Sequence, residues 1–155
     1  MQRDTIEQRE LSSILHAMLL AYGRRSREIL DEDQSIALVS TVSNDLARDL
    51  TGLNDRLNGK TVEQKLRSLA NLLVRSKLVG QANVVKHGSG YEFCVEACNF
   101  ALTIRKHESG MILACPFGMI ASSIASRASG RNFHPTLSIA TDLGACTRIE
   151  LQRDF

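Results

Sequence analysis

One change of hydrophobic period divides this chain and limits what it can fold into. Up to Gly80 the apolar residues recur every three or four positions, as on one face of a helix. Beyond Gly80 they alternate, as on one face of a strand. A helical first half and a strand-rich second half are therefore expected. A length of 155 residues suits one domain, 1–155, with a core of its own.

In the first half, Leu11, Ile14, Leu15, Met18, Leu19 and Tyr22 form one stripe of a long amphipathic helix over 7–30. The acidic run Asp31-Glu32-Asp33 resembles the start of a second helix, because negative charge in a first turn complements the helix dipole. That helix is expected to reach about position 50 and to bury Ile36, Val39, Val42 and Leu46, with a break at Gly52 and Asn54. Thr61 followed by Gln64 fits a capping box and opens a third helix, whose buried face is Leu66, Leu69, Ala70 and Leu73 and whose end is Gly80. The Leu-rich helices read as the support of the second half and as a dimer surface.

In the second half, 81–87 and 91–98 read as strands about the turn His87-Gly88-Ser89-Gly90. Alternation puts Phe93, Val95 and Ala97 on one face, and Cys94, Glu96 and Cys98 on the other. Cys115-Pro116 reads as a helix entry, since proline fits the first helical position, where no amide donor is needed. The helix over 116–129 is rich in small residues, so something can approach it closely, and Gly130 closes it. A hairpin of 136–141 and 146–151 about residues 142–145 completes the chain, and His87 and His134 read as loop residues.

All four cysteines lie in this second half. The N-terminal residues lack the apolar core of a signal peptide, and no apolar run reaches the ~18 residues of a membrane span. A cytoplasmic location is the expectation, and thiols there are usually kept reduced. Buried structural thiols, metal ligands or redox groups are thus expected ahead of disulfides. Cys94 and Cys98 are separated by three residues, which in an extended strand means ~13 Å, too far to share one small centre unless the strand ends first. Cys98, Cys115 and Cys146 each stand at the end of a predicted element, where three ends can converge. They form the preferred metal-ligating set, with Cys94, His107 or an outside molecule as fourth ligand. Zinc or an iron–sulfur cluster is the expected occupant.

The remaining chemistry classes are poorly supplied. A net charge of +2, with Arg and Lys scattered, gives no footprint for nucleic acid. There is no Walker loop, no dinucleotide-binding glycine fingerprint, no H-E-x-x-H and no G-x-S-x-G. Cys115 at a helix N-terminus has the dipole that favours a thiolate, but no Cys/His/Asn signature supplies a base. An enzyme is the less favoured reading.

The segments EACNF with Cys98, ACPF with Cys115 and GACTRIEL with Gly144 and Cys146, in this order of elements, resemble the four-vinyl-reductase domain family. Its relatives are the methanogen output domains and the Bet3-like subunits of TRAPP tethering complexes. The resemblance implies an α+β fold, in which helices pack on a twisted antiparallel sheet with the Cys-led helix between two hairpins, and which pairs into a homodimer through its long helices. It also implies a sensory or ligand-binding role. In some related regulatory domains junction cysteines hold an iron–sulfur cluster, a role that would fall here on Cys98, Cys115 and Cys146. Two departures are visible. Thr141 and Asp142 stand where the four-vinyl-reductase pattern usually has a further cysteine, and the helical half lacks the acylated cysteine of the Bet3 branch.

Three functions follow in order of preference. The first is a cytoplasmic, dimeric metal- or redox-sensing module that signals through a protein partner. The second is an apolar-ligand binder in which the small-residue helix lines the site, with Phe117, Ala121, Ser122 and His107 as binding residues. The third is a scaffold or tethering subunit acting by protein–protein contact.

Overall fold

The computed structural model of the protein describes residues 21–22, 25–26, 28–98, 111–112, 115–141 and 144–152. Most of the predicted first helix, together with His107, lies outside them. The elements in chain order are α1 (Glu32–Asp49), α2 (Thr51–Arg56), α3 (Val62–Arg75), β1 (Gln81–His87), β2 (Gly90–Glu96), β3 (Met111–Ile112), α4 (Pro116–Ser129), β4 (Phe133–Ala140) and β5 (Gly144–Leu151). The five strands form one antiparallel sheet in the order β1-β2-β5-β4-β3. This is the α+β architecture expected from the resemblance, with the Cys-led helix between two hairpins.

Local chemistry accounts for most of the boundaries. Asp31 caps α1 and Thr61 caps α3, each in a complete capping box with a glutamine at the third helical position. α1 ends at Asp49, close to the predicted position 50, but Gly52 and Asn54 lie inside the short α2 and not in a break. Lys65 ties that turn down by donating from Nζ to the carbonyls of Asn54 and Leu57, both at 2.8 Å. α3 ends five residues before Gly80. Lys77 takes the left-handed conformation (φ 57°), and the amides of Lys77 and Leu78 donate back to Val74 and Leu73, the two bonds of a Schellman stop. Gly130 ends α4 in the same region of backbone space, at φ 67°, where a side chain would be strained.

One face of the sheet carries the helices. α3 lies against β1, α4 runs across β2, β5 and β4, and α1 packs on α4 and β4. Leu66, Leu69, Leu73, Phe93, Val95, Ile124 and Ile149 fill the space between the layers. The α3 face is the one its periodicity predicts. The α1 face is not. Ser35, Val39 and Ser43 are buried, whereas Val42 remains 38% exposed. α1 runs close to α4 and β4, and such a close approach favours small side chains over large ones at the contact. Val85, Ile139, Arg148 and Glu150 open the opposite face of the sheet to solvent. Among the described residues no helix is long and apolar enough to cross a membrane.

Candidate functional site: two cysteine pairs on opposite faces of the sheet

The cysteines separate into two pairs. β2 and β5 run antiparallel in a register that sets Cys94 directly opposite Cys146, with Cα atoms 4.0 Å apart, and the two are joined as a disulfide. The expectation of reduced thiols in preference to disulfides is corrected here. Fifty-two positions separate the two cysteines in sequence, and only the strand register makes them neighbours. Both lie on the sheet face away from the helices and both are partly buried. Asn83 on β1 flanks Cys94 and Ile139 on β4 flanks Cys146, each of them exposed.

Cys98 does not continue the alternation that would have placed it beside Cys94. β2 stops at Glu96, Ala97 takes a positive φ of 48°, and the chain turns inward, so that Cys98 enters the core. Gly80 locks this corner by donating its amide to the carbonyls of Glu96 and Ala97. Cys115, the residue before Pro116 at the start of α4, is buried in the same apolar cluster. The structure therefore brings Cys98 together with Cys115, and Cys94 together with Cys146. It does not bring Cys98, Cys115 and Cys146 to one point, because the sheet lies between the two pairs.

The two environments differ in chemistry. Burial pushes the Cys115 thiol up to about 11 from an ordinary 9.0; hydrogen bonds from the Gly118 and Phe117 backbone oppose the shift, and the neighbouring Cys98 adds to it. A helix N-terminus by itself would favour the thiolate, but desolvation outweighs it here. Cys115 is consequently a protonated core thiol at neutral pH, not an activated nucleophile. Its backbone amide donates to Ser138 Oγ at 2.7 Å, and Ser138 Oγ lies 2.6 Å from Thr147 Oγ1. This buried chain fixes the start of α4 to the β4–β5 pair. Directly above it sits Gly118, where any Cβ would overlap the Thr147 side chain.

Of the residues expected to bind an apolar ligand, Phe117, Ala121 and Ser122 all lie within the packed interior. The Ser122 hydroxyl donates to the Phe133 carbonyl at 3.0 Å, and Ser126 bonds both the amide and the carbonyl of Phe133. What approaches the small-residue face of α4 so closely is the protein's own sheet and α1. His134, expected in a loop, is part of β4 opposite Glu150.

The outer pair has a third member that sequence reasoning passed over. Glu92 lies two residues before Cys94 on the same strand face, and its carboxylate and the two sulfurs lie within 4.8 Å of one another. Alternation alone places Glu92 beside Cys94. The signal becomes meaningful only once Cys146 is known to complete the group.

No protein-family model matches the chain, and no curated protein matches it. The fold is similar to that in a crystal structure of a trafficking protein particle complex subunit 3 from Naegleria fowleri covalently bound to palmitic acid. Identity is 11%, the TM-score is 0.58, and the match covers 94% of this chain and 96% of that one. At that identity the likeness is one of architecture, and this chain has the two-layer fold of a TRAPP subunit.

Proposed function

We propose that the protein is a non-catalytic assembly subunit that acts by protein–protein contact, pairing first with a second copy of itself through its N-terminal helices. One observation carries this reading: apolar residues of the N-terminal helical half are left exposed. Tyr22 and Ile29, two helical turns apart, are 71% and 79% exposed, and Leu38 and Val42, one turn apart on α1, are also exposed. Tyr22 is the last residue of the sequence's apolar stripe, and its exposure supports a partner for that stripe outside the chain. The similarity to a subunit of a multiprotein complex over nearly the whole of both chains agrees with such a role. The setting is a cytoplasmic one, with a further protein as downstream partner. Sedimentation equilibrium of the full chain should give a dimer at micromolar concentration, and Leu38→Glu combined with Val42→Glu should weaken it at least about tenfold. A monomeric parent protein, or a double variant that dimerises as before, would sink the proposal.

A second reading, binding of an apolar ligand, is favoured by the palmitic acid held by the structural neighbour. Native mass spectrometry of freshly purified protein should then show a retained acyl-chain-sized mass, and a bare chain from every preparation would count against it. The four-vinyl-reductase relationship and a metal- or redox-sensing role through Cys98, Cys115 and Cys146 gain no support from the fold comparison. The sensing idea is better served by a different group of residues.

A further inference from the structure

The geometry points to Cys94, Cys146 and Glu92 as a redox-gated metal site on the open face of the sheet: closed as the disulfide and, once reduced, able to take one soft divalent cation such as Zn2+ or Cd2+. Three features carry this. The two sulfurs are bonded to each other and the Glu92 carboxylate lies within 4.8 Å of them, so that after reduction the sulfurs need only part to the roughly 3–4 Å that separates neighbouring ligands in a tetrahedral site. All three residues are only partly buried and are flanked by the exposed Asn83, Val85 and Ile139, so both a reductant and an ion have access from solvent. Finally, the Glu92 carboxylate, whose cross-strand neighbour is the exposed Arg148, is held in no ion pair among the described residues. The pairs there join Arg25 to Glu28, Arg48 to Asp45 and Arg67 to Glu63.

The donor set selects the ion. Two thiolates favour soft or borderline cations over Mg2+ or Ca2+, and one carboxylate oxygen is a common third ligand for zinc. With three protein ligands the fourth position falls to water or to an outside group. The gating step is thiol–disulfide exchange. Two molecules of a thiol reductant supply two electrons and two protons, the Cys94–Cys146 bond breaks, two cysteine thiols form, and the reductant leaves as its own disulfide. Cation binding then displaces both thiol protons to solvent. In a cytosolic thiol pool the open form is favoured, whereas an oxidising shift would close the site and release the ion. This role is independent of the assembly surface, which lies on the helical side of the molecule.

The test uses the full chain, reduced anaerobically with a thiol that is then removed, and titrated with Cd2+ while thiolate-to-cadmium charge-transfer absorption and proton release are followed. We expect one Cd2+ per chain, two protons released, and no binding by the untreated disulfide form. Cys94→Ser and Cys146→Ser should each abolish the signal. Glu92→Gln, a partly exposed change that leaves the core intact, should weaken binding by at least the 10–100-fold typical of losing a supporting partner. Circular dichroism on each variant separates loss of the site from loss of the fold. Binding that survives Cys94→Ser and Cys146→Ser but disappears in Cys98→Ala would assign the ion to the inner pair and overturn the inference. So would failure of the reduced, folded protein to bind, or affinity unchanged in Glu92→Gln.

Discussion

At the residue scale, the same amino acid has two chemistries on the two sides of one sheet. Cys98 and Cys115 are small hydrophobes in a packed interior, whereas Cys94 and Cys146 meet solvent at its outer face. The interior setting has a consequence for pH. Cys115 is an acid whose folded value, about 11, lies above its ordinary 9.0, so the native state prefers the protonated form. Its contribution is fully present below about pH 9 and is lost as pH rises through about 11, because the unfolded chain gains by ionising. Over that window the loss is about 3 kcal/mol. Denaturant unfolding at a series of pH values should show this decline in the parent protein and a flatter profile in Cys115→Ala. Equal slopes in the two would mean that the thiol is not desolvated as described.

At the element scale, the junction between β2 and β5 joins two distant parts of the chain. The antiparallel pairing runs from Tyr91–Ile149 to Glu96–Gly144, with the disulfide in its interior. Closing a loop of 52 residues removes roughly 4 kcal/mol of freedom from the unfolded chain, an upper figure because reduced chains keep residual structure. A thiol reductant should therefore lower the denaturation midpoint of the parent protein, and should leave that of Cys94→Ser, which starts without the bond, unchanged. A midpoint indifferent to reductant in both would show that the strand pairing alone sets the stability of this junction. Several helix ends were readable from local chemistry: the acidic run at Asp31, the capping box at Thr61, proline at the entry of α4, and Gly130 at its exit. The end of β2 was not. Ala97 carries no turn signal, and its positive φ is imposed by the corner that Gly80 holds.

At the scale of the whole molecule, two layers make one core and leave one sheet face in water. Ile149, fully buried on β5, and Ile139, 60% exposed on β4, test this division directly. Ile149→Ala should cost about 2–5 kcal/mol, the usual penalty for a cavity in a packed interior. Ile139→Lys should stay within about 0.5 kcal/mol, as surface changes do. Comparable losses at both positions would show that the outer face is covered in solution, either by a second copy or by another part of the chain.

The sequence by itself determined the starts of α1, α3 and α4 and the buried face of α3, because caps, proline and a 3.6-residue period act within a few positions of chain; the short α2 and β3 carry no such signal. It could not determine which cysteine meets which. That depends on the register between β2 and β5 and on the inward turn at Ala97, and both are set by the packing of residues far apart in sequence. The serine-lined face of α1 was hidden for the same reason. Ser35 and Ser43 look polar along the chain, and only the close approach of α4 makes small side chains the ones to bury. Tertiary structure thus placed two thiols in the core and the other two, with Glu92, on a surface open to solvent.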